Sequence, residues 1–396
     1  MTKISEICDT NQTFSLKALH YETLKPVRVE VVNGFISSVV ELGKEDSDRD
    51  LFVVAPGLID NQVNGFEGVD FSGEELTEED ISKATISLWR MGVTTYLPTL
   101  VTNSSQNLIR NFRILSNAFL CEEVALSVPG FHLEGPWLSK LDGFRGCHRE
   151  DQLALPNMAE LISFQKAAGG KIVQLTLAPE LPGADELIDY CSLHGIIPAI
   201  GHSNADSSQI REACDRGVKL STHLGNGCAN MIHRHLNPIW PQLAEDRLIP
   251  TVIADGHHLL PEELKVFWKV KGSDRLILTS DITYLAGMPA GKYFFAGAAV
   301  VLTEDGMLKS ADQDCLAGAS LPLLKGVENM VKFTGCSLGE AINMASGNVA
   351  TVFGWEDRGT LLPGKRADLL ILENREGNLY LRKTIVAGKL VFDVAI

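Results

Sequence analysis

The sequence predicts an α/β protein: a (β/α)8 TIM barrel with a small β-sandwich domain built from both chain ends. Three observations lead there. Eight short apolar runs alternate with amphipathic helical stretches between Ala55 and Asp281. The two ends of the chain are strand-like and lack a helical period. The Gly-rich phosphate fingerprint that a doubly wound sheet, the main competitor, would carry does not follow the first apolar run.

In chain order, the first 55 residues read as short strands, Thr13–His20, Val27–Val32 and Phe35–Glu41, with Asn33-Gly34 as the hairpin turn. Gly43–Asp50 (GKEDSDRD) is a charged, solvated loop. The eight barrel strands are Leu58–Val63, Val93–Pro98, Pro129–Glu134, Ile172–Leu177, Ile197–His202, Val218–His223, Thr251–Asp255 and Leu276–Asp281. Runs this apolar suit a parallel sheet buried on both faces. Between them, Thr77–Met91 opens with a capping box of Thr77 and Asp80 and stops at Gly92. Asp206–Arg216 and Pro261–Lys271 are further helices, the latter with proline in its first turn. Residues 320–354 read as helical. The tail returns to strands at Ala367–Leu372, Thr384–Val386 and Leu390–Val394. The expected domains are residues 1–55 and 358–396 for the two parts of the β-sandwich, and 56–357 for the barrel.

The bulk properties fit. A chain of 396 residues, 45% hydrophobic, can bury one large core and a satellite domain. A formal charge of −15 argues against nucleic acid or an anionic membrane as partner, though not against a small anionic substrate. The N-terminal MTKISEICDTNQTFSL lacks a basic region followed by an apolar run, and no stretch has the length of a membrane span. A cytoplasmic location is expected. The eight cysteines form no CxxC pair and read as reduced, mostly buried thiols.

The chemistry lies in where ionisable residues fall. Glu134 ends the third strand, His202 the fifth, His223 the sixth and Asp281 the eighth. In a (β/α)8 barrel the strand C-termini converge on one mouth. Alone, each residue has a bland reading: a satisfied histidine, a helix N-cap, a loop charge. Together, buried at one end of one barrel, they are costly unless paired or metal-bound. Two imidazoles and a carboxylate are a common ligand set for catalytic zinc, with a position left open for water. Asp281 is then placed to accept a proton from that water and hand it to a departing amine.

The segments PGLIDNQVNG, HLEGPW, GHSNA, THLGNG, ADGHH and TSDIT, in that order, resemble the N-acetylglucosamine-6-phosphate deacetylases of the amidohydrolase superfamily. The tail GTLLPGKRADLLIL resembles the family's return to the β-sandwich, and the likeness runs from about Val54 to Leu372. The resemblance implies that Glu134, His202 and His223 hold one divalent metal ion and that Asp281 is the catalytic acid–base. Zinc is the chemical default, while Fe2+, Mn2+ or Co2+ suit the same ligands. Gln62 and Asn64 stand where many amidohydrolases carry His-x-His, and no lysine ends the fourth strand; both imply one metal rather than two. His148, in DGFRGCH, matches a family histidine that contacts the acyl carbonyl.

The same likeness puts Gln62, Asn64, Asn226, Gly227, Arg234 and His258 around the substrate, with Arg234 and His258 on a phosphate. The implied ligand is a phosphorylated N-acetylated amino sugar, converted to the free amino sugar and acetate. The family's arginine can reach in from a neighbouring subunit, so a homodimer is expected. The chain departs from the pattern after Arg234, reading HLNPIW where Glu-Pro-Gly is usual, with two extra histidines, His233 and His235. Arg145 is a second candidate cation. Two other readings stand beside this one. One is an amidohydrolase for an unphosphorylated N-acyl sugar, an N-acyl amino acid or a cyclic amide. The other is a metal-free scaffold that has lost the chemistry.

Overall fold

The computed structural model describes residues 13–43, 52–295, 298–311 and 315–394. Cys8 and most of the charged loop expected at Gly43–Asp50 lie outside the described residues. Along the chain come β1 (Phe14–His20), β2 (Pro26–Val32), β3 (Phe35–Glu41), β4 (Val53–Pro56) and β5 (Leu58–Val63). β6 (Gly65–Phe66) and β7 (Val69–Asp70) make a short ribbon. Then follow β8 (Val93–Val101), β9 (Phe131–Glu134), β10 (Ile172–Leu177), β11 (Ile197–Ile200), β12 (Leu220–Ser221), β13 (Ile249–Val252) and β14 (Ile277–Leu278). With β5, these seven form one eight-stranded parallel sheet in strict chain order. Helices connect the strands, as a parallel register requires.

The barrel closes between its first and last strands. Val63 and Ile282 form a parallel bridge, and the Asp281 amide donates to the Gln62 carbonyl at 3.1 Å. Deeper down, Asp60 Oδ1 accepts from Thr279 Oγ1 at 2.9 Å and from the Ser280 amide at 3.1 Å. The seam is therefore made by the segments that carry Gln62 and Asp281.

The expected helices are present. Glu78–Trp89 is capped by Thr77 in a reciprocal box with Asp80, Ser207–Asp215 is capped by Asp206, and Pro261–Lys271 begins on its proline. Residues 320–354 resolve into Leu323–Thr334, Leu338–Met344 and Gly347–Phe353.

Several features were not foreseen, the central strand β4 and the ribbon β6–β7 among them. β15 (Gly291–Phe295), β16 (Ala298–Leu302) and β17 (Leu308–Ser310) form an antiparallel flap after the eighth strand. β18 (Leu369–Arg375) is followed by β19 (Asn378–Val386), which starts six residues before the expected Thr384, and by β20 (Lys389–Asp393). β19 is longer because Asn378–Lys383 pair with β18 although their side chains are mainly polar and half exposed.

Both chain ends share one seven-stranded sheet, ordered β20-β19-β18-β4-β1-β2-β3. It curls on itself, because Phe35 of β3 bridges to Arg366 and the Ala367 amide donates to the Gly34 carbonyl. β4 sits at its centre, parallel to β1 and antiparallel to β18, and leads through Gly57 into the first barrel strand.

Candidate active site

Glu134, His202 and His223 converge at the mouth of the barrel. One ligand atom from each lies within 4.8 Å of the others, and all three residues are buried. Glu134 Oε1 is 3.0 Å from His223 Nε2 and 3.3 Å from His202 Nε2. Burial opposes the charge on Glu134, but the contacts from His202 and His223 outweigh it and hold its pKa well below the carboxylate norm. His202 Nδ1 is 3.0 Å from the Phe144 carbonyl, a contact that requires an Nδ1–H donor. That fixes the tautomer and leaves Nε2 with a lone pair for a cation. The donor set and its orientation fit a divalent metal.

The residues expected to end their strands stand just past them. β11 stops at Ile200, β12 at Ser221 and β14 at Leu278. His202, His223 and Asp281 instead occupy left-handed backbone, with φ of 49°, 34° and 53°. Such a conformation costs about 1–3 kcal/mol for a residue with a Cβ and persists where the surroundings enforce it. It departs from the pleat, so each side chain leaves its strand's alternation.

Two glycines complete the packing around His202. A Cβ on Gly146 would come within 2.9 Å of the His202 ring and one on Gly227 within 3.0 Å. Both have positive φ, so the imidazole is held between two stretches of bare backbone.

Asp281 lines the same cavity, of about 880 Å³, as Glu134, His202 and His223. Asn64 Nδ2 donates to Asp281 Oδ1 at 2.7 Å. Burial raises the Asp281 pKa to about 6, and His223 pulls it back down in part. His148 lines the cavity with its ring centroid 4.3 Å from that of His202 and its Nδ1 2.8 Å from Thr102 Oγ1. Burial, then His202, lowers its pKa to about 3, so the ring is neutral at pH 7. His258, Asn226 and Gly227 also line the wall, and His258 Nδ1 lies 2.7 Å from Asp255 Oδ2.

Three expected residues fall elsewhere. Gln62 is fully buried behind Glu134 rather than in the wall, and its Nε2 donates to Glu134 Oε2 at 3.1 Å. This position suits holding the carboxylate better than touching a substrate. Arg234 is exposed and outside the cavity lining, on a loop tied down where Trp240 Nε1 donates to its carbonyl at 3.1 Å. Arg145 is also outside the lining and faces Asp142 and Glu150 at 3.5 and 3.9 Å.

Sequence reasoning missed several contributors. Asp255 stands three residues past β13 and three before His258, a spacing that signals a carboxylate partner. Thr102, just past the end of β8, carries a similar positional signal. The Phe144 carbonyl, a backbone atom, carries none. The flap supplies Phe294, Phe295 and Lys309 to the wall, from a segment whose pattern did not suggest a site. The cysteines also differ from expectation: among the described residues Cys191, Cys214 and Cys336 are buried, whereas Cys121, Cys147, Cys228 and Cys315 are half-buried.

Comparison with known proteins agrees with this architecture. The profile of the amidohydrolase family matches residues 53–391. An N-acetylglucosamine-6-phosphate deacetylase of Bacillus subtilis is 33% identical over 365 residues, covering 89% of this chain and 90% of the relative. One from Lysinibacillus sphaericus is 32% identical over 335 residues, covering 85% and 84%. The Thermotoga maritima N-acetylglucosamine-6-phosphate deacetylase structure superposes with a TM-score of 0.85 at 30% identity, over 96% of this chain and all of that one. A mutant Mycobacterium smegmatis N-acetyl-D-glucosamine-6-phosphate deacetylase in complex with N-acetyl-D-glucosamine-6-phosphate gives 0.85 at 26% identity, over 96% and 99%. The chain belongs to the amidohydrolase family of metal-dependent enzymes, in the branch of the N-acetylglucosamine-6-phosphate deacetylases.

Proposed function

We propose that the protein hydrolyses the N-acetyl amide of N-acetylglucosamine 6-phosphate, releasing glucosamine 6-phosphate and acetate. The observation that carries this is the convergence of Glu134, His202 and His223 with Asp281 in one cavity. That convergence joins a metal-ligand set to an acid–base on the scaffold shared with deacetylases. The metal is one divalent ion, with zinc the natural fit to two imidazoles and a carboxylate. When bound, such an ion supplies Lewis acidity, which brings the pKa of water toward neutrality.

The chain's own residues do the rest. Asp281 takes the proton of the attacking water and returns it to the departing amine nitrogen. Asn64 holds that carboxylate in place. His148 is neutral; with Thr102 engaging Nδ1, an Nε2–H can donate to the acyl oxygen as negative charge develops there. Gln62 steadies Glu134, and Asn226 and Gly227 flank the sugar. His258, steadied by Asp255, contacts the phosphate. Arg234, exposed in the single chain, reaches the phosphate of a second subunit, so the working unit is a homodimer. We propose the cytoplasm as its setting. Separately, no helix among the described residues is long and apolar enough to cross a membrane.

The test is amine release from N-acetylglucosamine 6-phosphate, N-acetylgalactosamine 6-phosphate and unphosphorylated N-acetylglucosamine, with and without a chelator. The galacto compound belongs in it because an Escherichia coli N-acetylgalactosamine-6-phosphate deacetylase is 29% identical over 364 residues. The expected order is gluco-phosphate above galacto-phosphate, with the unphosphorylated sugar at least about 100-fold lower in kcat/KM. Equal rates with and without phosphate would remove the phosphate assignment. Full activity after chelation would remove the metal.

A further inference from the structure

We infer that Cys147 and Cys315 form a dithiol that closes to a disulfide across the mouth of the catalytic cavity. The two sulfurs lie 3.6 Å apart although 168 residues separate them in the chain. A disulfide needs about 2.05 Å, so closure asks for roughly 1.5 Å of sulfur movement. Both residues line the cavity, so a small solute that enters it can reach them. The Cys147 thiol donates to the Leu316 carbonyl at 3.2 Å, which already ties the two loops together.

Each sulfur is attached to part of the catalytic machinery. Cys147 sits between Gly146, which packs on the His202 ring, and His148. Cys315 follows the flap strand β17, and the Ser310 amide donates to its carbonyl at 3.0 Å. Four residues on, the Ala319 amide donates to the Asp281 carbonyl at 3.0 Å. A covalent link here pins the loop over His202 to the flap and to the segment behind Asp281. It thereby narrows the entrance.

The oxidant is a small disulfide such as glutathione disulfide. One cysteine thiolate attacks it, forming a mixed disulfide and releasing one glutathione thiol. The second thiolate then displaces the other glutathione, forming the Cys147–Cys315 bond. Two cysteine sulfurs are oxidised, one glutathione disulfide is reduced to two thiols, and both protein protons leave with them. The neighbouring thiol and burial raise the Cys147 pKa, so exchange is slow and the position of equilibrium is the quantity to measure.

The experiment equilibrates the metal-loaded enzyme in glutathione buffers from fully reduced to fully oxidised. Non-reducing peptide mapping by mass spectrometry then reads the link, and the rate of metal removal by EDTA reads the opening of the mouth. The expected result is a Cys147–Cys315 peptide pair two hydrogens lighter than its thiols, with metal removal slowed about ten-fold and restored by dithiothreitol. Cys315→Ser is expected to abolish the redox dependence of that rate. Glutathione adducts on single cysteines without the cross-link overturn the proposal, as does a cross-link that leaves metal removal unchanged. Neither readout uses the amino sugar, so failure here is separate from failure of the substrate assignment.

Discussion

The two ends of the barrel lumen are built on opposite rules. At the floor, Ile59, Ile197, Ala199, Leu220 and Ile277 pack with Val349 and Ala350 of the helix Gly347–Phe353 into a sealed apolar plug. At the mouth, three of these strands, β11, β12 and β14, run out to His202, His223 and Asp281, all on left-handed backbone, and β9 ends in Glu134. Between the two lies a polar layer. His132 sits 3.2 Å from Thr99 Oγ1 and 2.7 Å from Thr176 Oγ1, and Asn61 Nδ2 donates to Gln174 Oε1 at 3.0 Å. Burial lowers the His132 pKa to about 4, so its ring is neutral at pH 7. The floor supplies packing energy. The mouth spends some of it on strain and on buried polar atoms without partners, among them Gln62 Oε1, Asn64 Oδ1, Asn226 Nδ2 and His223 Nδ1.

That contrast can be broken from either end. The largest effect belongs to the mouth: Asp281→Asn should lower kcat by about 10³-fold or more, with metal content unchanged. Metal analysis and steady-state kinetics on one preparation check it, and near-normal turnover removes the proton-transfer role. The floor should answer in the other currency. Leu220→Ala deletes a fully buried side chain and should cost about 2–5 kcal/mol in denaturant unfolding while kcat stays within about two-fold. A comparable loss of kcat would show that floor and mouth are not separable.

Smaller effects sharpen the picture of the mouth. Arg234→Ala should raise KM for the phosphorylated sugar by one to two orders of magnitude, about 1.5–3 kcal/mol, and leave KM for the unphosphorylated sugar alone. An unchanged KM would return Arg234 to the exposed surface as an ordinary loop charge. The pH profile is the most modest test. Asp281 must be ionised to accept a proton, and its pKa is raised to about 6 by burial. Activity should therefore be lost as pH falls, and a bound cation moves that limb lower still. An acid limb centred at or below about pH 6 in kcat/KM is expected; one above pH 7 assigns the base to another group.

Much of this contrast was legible in the amino-acid sequence because it follows from period and position. Apolar runs such as Ile197–Ile200 announce buried strands, and a histidine or carboxylate just beyond each run announces the mouth. The capping box at Thr77 and Asp80 marked its helix start correctly for the same local reason. What escaped was set by distant parts of the chain. Nothing local to Gln62 says that its amide meets Glu134 behind the wall. The 3.6 Å approach of Cys147 and Cys315 is equally invisible to spacing. The flap Gly291–Ser310 resists reading because it packs on a small core of its own, where Val300, Leu302 and Leu308 are buried while Phe294 stays exposed, apart from the barrel's alternation of strand and helix. Asn378–Lys383 were lost because pairing with β18, not side-chain character, makes them a strand.

The place of β4 at the centre of the curled sheet sets an order of events during synthesis. Val53 finds one neighbour, Leu19, early, but its other, Leu372, leaves the ribosome only after the whole barrel has been made. The N-terminal strands must wait, with an edge open to stray pairing, until the last strands emerge. A nascent chain stopped before β18 therefore has all eight barrel strands synthesised beside an unfinished sheet, and the open edge of β4 is the place that needs guarding.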